Sequence, residues 1–287
     1  MQSIPIHEQL KQDLDAIVKK ATIGKKVCCM LSGGVDSFVI THLANKYAKK
    51  IIAVTVTNGV DGQDVIWAKK CVDVLKIPFK VITFNAQDAY DTTREFLKRF
   101  PDTRTIVRLQ CGLVTEKCAS YAKSESYDTL LCGDGADAVF GSTGHMRRKS
   151  KRPDFNAIKR AVCEKGIAEG VGHDFVAICS YYGLNSAIPY RDTNFIDNYV
   201  DLDDKIINKP KEKQILRSAF ESELPRDLVY RERLTLQDGV GIKHKHIELL
   251  RSSSPKNYKS PKYIIKEIIN DLQSHQFVFK MRRVWEK

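Results

Sequence analysis

The apolar run Val27-Cys28-Cys29-Met30-Leu31 passes directly into Ser32-Gly33-Gly34-Val35-Asp36-Ser37 and then into a helical pattern from Phe38 to Ala48. A buried strand, a glycine turn and a helix in that order bring consecutive backbone amides and a helix N-terminus to one point. That is an anion site, and phosphate is the anion it suits. The glycines allow close backbone approach, while Ser32 and Ser37 add hydroxyl donors. Asp36 repels an anion directly, so its natural role is to hold a Mg²⁺ that bridges phosphates. No Gly-Lys-Ser/Thr follows, so this is not the Walker pattern.

Strands and helices alternate along the first half of the chain. Residues 7–22 carry Leu10, Leu14, Ile17 and Val18 at helical spacing. Strands are expected at Val27–Leu31, Ile51–Thr57, Phe79–Phe84 and Tyr127–Cys132, with helices at 63–76, 87–99 and 110–124 between the later ones. Short buried strands alternating with helices imply an α/β fold with a mainly parallel, doubly wound sheet covered on both faces. From about residue 150 strand signals fade, and helices joined by proline-bearing loops are expected. Three parts follow: an N-terminal helix over 1–24 packing on the core, a domain over 25–245 whose sheet core ends near 150, and a basic linker and C-terminal helix over 246–287. The linker spans 251–261 and the last helix 262–274.

Residues 32–37 resemble the pyrophosphate loop of the ATP pyrophosphatase (PP-loop) superfamily, whose fold is the adenine nucleotide alpha-hydrolase type. A second match selects the branch. Leu131-Cys132-Gly133-Asp134-Gly135-Ala136-Asp137-Ala138-Val139-Phe140-Gly141 resembles the asparagine-synthetase signature S-G-E-G-S-D-E-x-F-G-G. Lys211–Arg217 is similar to the family's K-x-x-L-R element, Leu224–Arg231 to L-P-x-x-I-x-x-R, and Gln237-Asp238-Gly239-Val240-Gly241 to S-D-G-V-G. The resemblance covers roughly 10–245 and implies the synthetase domain without a glutaminase domain. It implies an ATP site of Leu31, Ser32, Gly33, Gly34, Val35, Asp36, Ser37 and Gly133, with the phosphates over 32–37 and adenine near Thr55, Val56 and Thr57. Asp36 and Asp137 share one Mg²⁺, Asp134 and Arg233 are catalytic candidates, and Arg108 is a further phosphate-binding candidate. The reaction implied is adenylation of a carboxylate, release of pyrophosphate, and amide formation with ammonia or an amine. Nitrogen then comes from free ammonia, a separate glutaminase subunit or an amine substrate.

The family pattern G-L-E-x-R-x-P-F reads here Gly183-Leu184-Asn185-Ser186-Ala187-Ile188-Pro189-Tyr190. Asn185 and Ala187, the expected acceptor-pocket residues, thus replace a carboxylate and a guanidinium. Asp134 replaces a longer glutamate, and Arg233 stands in a lysine position, keeping a cation but no proton carrier near neutral pH.

Charge is unevenly spread. Of a net +12, residues 145–165 contribute +6 and 243–287 contribute +7. A basic rim for a polyanion such as ATP accounts for this, and nucleic acid is the alternative partner, as in tRNA-modifying relatives of the superfamily. A non-catalytic nucleotide-binding protein is the third reading, against which stands the retention of both Asp36 and Asp137. The eight cysteines include no C-x-x-C pair and read as buried thiols rather than disulfide or zinc partners. No signal peptide or membrane span is evident, and a cytoplasmic protein is expected. The missing charges at 185 and 187 predict that aspartate is not the best acceptor. In ATP–pyrophosphate exchange, some carboxylate less charged or differently placed should outperform it, and aspartate exceeding every other acid tried would contradict this.

Overall fold

The computed structural model describes residues 4–59, 62–232, 234–254 and 260–285, with 275–285 described by their backbone alone. Five parallel strands, β1 (Lys26–Met30), β2 (Lys50–Thr57), β3 (Phe79–Thr83), β4 (Thr129–Leu131) and β5 (Asn185–Ala187), form one sheet in the order β3-β2-β1-β4-β5. The register pairs Cys29 with Ala53 on one side and with Leu131 on the other. Strand side chains alternate, so Cys29, Ala53 and Leu131 enter one core while Cys28, Ile52, Val54 and Leu130 enter the other. Burial on both faces is why these strands read as unbroken apolar runs rather than alternating ones.

On the first face lie α1 (Ile6–Thr22), α2 (Val35–Tyr47) and α3 (Gln63–Leu75), with helices from the 193–229 region. Leu10, Leu14 and Val18, one helical turn apart, are fully buried there, which docks α1 onto the core. On the second face lie α4 (Ala86–Arg99), α5 (Ile106–Ser124), the helix Val171–Tyr181 and the C-terminal helices Lys243–Ser253 and Pro261–Trp285. Ile264, Ile265 and Ile269 are buried in that second core, so the C-terminal helix is part of the same packed body. It begins at Pro261 and runs past the expected end at 274. Part of the expected linker, residues 255–259, lies outside the described residues.

The sequence contains no strand signal for β5. It has three residues, two of them exposed, and only Ala187 faces a core. Pairing with β4 makes it a strand, and that is a tertiary event. Among the described residues no helix is long and apolar enough to cross a membrane. All eight cysteines are buried and free, and burial raises their thiols far above neutral pH.

The order reverses at β1: β2 and β3 lie to one side, β4 and β5 to the other. Ligands of open α/β sheets bind at such a switch point, in the crevice outside the C-terminal ends of the strands. The loops there are Leu31–Gly34 after β1 and Cys132–Gly135 after β4.

His246, on Lys243–Ser253, is fully buried against α4 and α5. It bonds Thr93 Oγ1 at 3.1 Å and Gln110 Nε2 at 3.4 Å. Desolvation lowers its pKa to about 4. The folded state therefore keeps this ring neutral while the unfolded chain protonates below about 6.5. Its contribution is complete above that pH and is lost as pH falls towards 4. Urea unfolding of the wild type should lose about 2 kcal/mol more between pH 7 and pH 5 than His246→Gln does. Parallel losses in the two proteins would contradict it.

Candidate active site

The loop after β1 is held by its own serines. The Ser32 N–H donates to Ser37 Oγ at 3.2 Å, the Gly34 N–H to Ser32 Oγ at 3.3 Å, and the Ser37 hydroxyl to the Gly34 carbonyl at 3.1 Å. Thr55 Oγ1 donates to the Leu31 carbonyl, fixing the loop to β2. Gly33 has φ +74°, and a Cβ there would lie 2.6 Å from the Trp67 backbone carbon and 2.7 Å from the Ala68 nitrogen. Only glycine satisfies both conditions. Thr55 and Thr57 share the face of β2 that looks towards this loop. Val56 points into the opposite core, so only its backbone is available here.

The second loop is pressed against the first. A Cβ on Gly133 would stand 2.9 Å from the Ser37 nitrogen and 3.0 Å from the Asp36 carbonyl carbon. This contact brings two carboxylates from separate loops to one point, where both reach the ammonium of Lys213. Asp137 Oδ1 lies 2.7 Å from Lys213 Nζ, and Asp36 Oδ2 makes a short contact with it. The lysine side chain is 3% exposed, whereas those of Asp36 and Asp137 are 23% and 32% exposed. The two carboxylate side chains are thus partly exposed and the lysine is not. Burial alone would drive the proton from Lys213, but the charges of Asp137 and Asp36 outweigh it and hold the group above the ordinary lysine range. Ser142 Oγ donates to Asp137 Oδ1 at 2.7 Å, and the buried Tyr190 hydroxyl donates to the Asp36 carbonyl at 3.2 Å. Lys213 is anchored in turn, its N–H donating to Asn208 Oδ1 at 2.8 Å.

A second cation braces the first loop from the other side. Arg231 donates from Nη1 to the Ser32 carbonyl at 2.5 Å and from Nη2 to Asp64 Oδ1 at 3.0 Å, and its guanidinium lies over the Trp67 ring at 5.3 Å. Burial pushes the Asp64 carboxyl up to about 6 even with Arg231 beside it.

The other expected residues are distributed as follows. Asp134 accepts from Arg191 Nε at 2.6 Å. Arg108 forms a two-pronged pair with Asp174, at 2.8 Å and 2.6 Å, so its charge is already met. Ala187 ends β5 beside the crevice with its side chain buried. Asn185 begins that strand, at the far end from the loops, and its amide donates to the Asp128 carbonyl at 3.0 Å. Arg233 lies outside the described residues. Sequence reasoning did not single out Lys213, Arg191, Arg231 or Asp64. Lys213 and Arg231 sit inside the elements matched at 211–217 and 224–231, so the signal for them existed. None existed for Arg191 or Asp64, whose partners are 57 and 167 residues away.

Within the first basic segment, Arg147 pairs with Asp204, Arg152 with Asp154, and Arg160 with both Asp197 and Asp201. Much of that charge is met internally. Among the described residues there is no cluster of three or more His, Cys, Asp or Glu side chains able to hold a metal by themselves.

The asparagine synthase family model matches residues 9–169, more than half of the 287 residues. The chain belongs to the asparagine synthase family. Among curated relatives, a probable glutamine-hydrolysing asparagine synthetase of Acanthamoeba polyphaga mimivirus is 24% identical, covering 98% of this chain and 52% of its own length. The Schizosaccharomyces pombe counterpart is 22% identical, with 98% and 56% covered. The rice asparagine synthetase 2 is 26% identical, with 81% and 42% covered. The chain therefore spans about half the length of the curated relatives it matches. An NH3-dependent NAD synthetase from Campylobacter jejuni superposes over 96% of both chains with a TM-score of 0.42 and 14% identity. For the family loop, Gly33→Ala should cost about 2 kcal/mol or more, since left-handed strain and backbone overlap add. An unchanged urea midpoint would contradict the contact with Trp67.

Proposed function

We propose that this protein is an ATP-dependent ligase that adenylates a carboxylate, releases pyrophosphate and forms an amide with ammonia or an amine. The observation that carries this reading is the meeting of the two loops at the switch point, where Gly133 packs on Asp36 and Ser37 and two partly exposed carboxylates converge. Family membership supports it, as does the naming of the relatives as glutamine-hydrolysing asparagine synthetases. The nitrogen source is free ammonia, a separate glutaminase subunit or an amine.

In this reading the amides and hydroxyls of Ser32–Ser37 receive the ATP phosphates, and Leu31 with Thr55, Val56 and Thr57 borders the nucleoside. Mg²⁺ fits the donor set. It is ordinarily held by one or two carboxylates together with substrate phosphates rather than by an all-protein cage, and Asp36 and Asp137 provide such a pair. They would hold it, and its charge would neutralise the phosphates. Lys213 holds the two carboxylates in register, its buried ammonium contacting both. The carboxylate of the acceptor attacks the α-phosphate in line, and pyrophosphate leaves against the loop amides and the Arg233 cation. Asp134, oriented by Arg191, takes a proton from the nitrogen that then displaces AMP. Arg108, met by Asp174, has no part in this scheme.

Asp36→Asn and Asp137→Asn test the reading. Each leaves the other carboxylate on Lys213, so both variants should fold, as thermal unfolding would report. Pyrophosphate release with the true acceptor should fall by roughly two orders of magnitude, the scale for losing electrostatic support of a transition state. Near wild-type turnover in both folded variants would refute the two-carboxylate site and most of the case for adenylation.

A further inference from the structure

A cavity of about 410 Å³ opens beside the outer edge of β5, in the size range of small-molecule sites. Its walls are mainly apolar, with Ile167, Val176, Ala187 and Ile188 among them, and two cations, Lys20 and Arg191, also line it. Asp192 is part of the lining too, its Oδ1 accepting from the Asn194 and Phe195 N–H groups. Arg191 joins this cavity to the second loop. Its Nε–H is given to Asp134 at 2.6 Å, and its Nη1 makes a long 3.4 Å bond to the Cys163 carbonyl. A guanidinium carries five N–H donors. Those two bonds leave donors without a partner among the described residues, on a side chain only 11% exposed.

The slot around Arg191 is lined with glycine. A Cβ on Gly135, Gly166 or Gly172 would come within 2.7 Å of its side-chain atoms. Ala187, the residue at the expected arginine position, contributes a methyl group to the cavity wall. The charge absent from position 187 is therefore present at the same wall on a different residue, beneath an apolar chamber.

We propose that this cavity is the acceptor site, that it takes a carboxylate with an apolar body, and that Arg191 is the specificity-determining residue that receives the carboxylate. The assignment rests on the adenylation reading for its chemistry, but the cavity can be tested by binding alone. Apolar walls reward each methylene of the ligand, and Arg191, which lines the cavity and reaches Asp134, would hold the polar head. Aspartate, with a second carboxylate and an ammonium, has no such body to bury.

The test titrates acetate, butyrate and hexanoate into the full chain by calorimetry and runs ATP–pyrophosphate exchange with the same acids and with aspartate. Affinity should rise about fourfold per added methylene. It should fall tenfold or more in Arg191→Met and in Val176→Trp, the latter a half-exposed rim position where a large ring blocks the chamber without entering the core. Hexanoate should also support exchange with a KM raised by both changes. Absence of hexanoate binding, or binding indifferent to Val176→Trp, would overturn the proposal. Aspartate exchange untouched by Val176→Trp would also overturn it while leaving the adenylation reading intact. Hexanoate binding sensitive to both variants, with no exchange from any carboxylate, would keep the cavity as a carboxylate site and remove the adenylation reading instead.

Discussion

The ammonium of Lys213 between Asp36 and Asp137 is the interaction on which the arrangement of this site depends. Its three members come from the loop–helix after β1, the loop–helix after β4 and the helical part near residue 213, so one cation joins the two halves of the sheet to the region that follows. Removing an ammonium from water costs several kcal/mol, which opposite charges close by must offset. Two carboxylates do, and they make the lysine more basic than in water. The triad as a whole still carries one excess negative charge at the mouth of the crevice. On the proposed adenylation reading, substrate phosphates approaching it need a cation, which the same carboxylates would hold.

Arg231 does for the opposite flank what Lys213 does for the centre. By holding the Ser32 carbonyl and Asp64 at once, it ties the segment after residue 225 to the first loop and to α3. Trp67 lies under the guanidinium and against Gly33, so the loop is pinned between a flat ring and a charged side chain. The pair is buried on both sides, and the raised carboxyl of Asp64 shows that desolvation outweighs the attraction for that group. Such a pair contributes geometry more than stability.

The wall near β5 is organised by a different logic. Family resemblance places a carboxylate and an arginine at 185 and 187, and the chain has neither. Arg191 nonetheless brings a guanidinium to Asp134 from the turn after the strand. Asn185, by contrast, is spent on the Asp128 carbonyl at the far end of the strand.

The sequence alone determined the strand–loop–helix that begins the sheet, the helix docked by Leu10, Leu14 and Val18, and the two loops that carry the carboxylates. Those features are local, since apolar period, glycine turns and helix starts act over a few residues. It left β5 unread, because a strand of three residues with two exposed has no period and exists through pairing with β4. It also left Lys213, Arg191 and Asp64 without roles. A long charged side chain takes its function from whichever opposite charge the fold sets beside it, and the partners here are 57 to 177 residues distant. Only the tertiary structure decided those pairings, because an ion pair is selected by distance in space and by loss of water, neither of which spacing along the chain encodes.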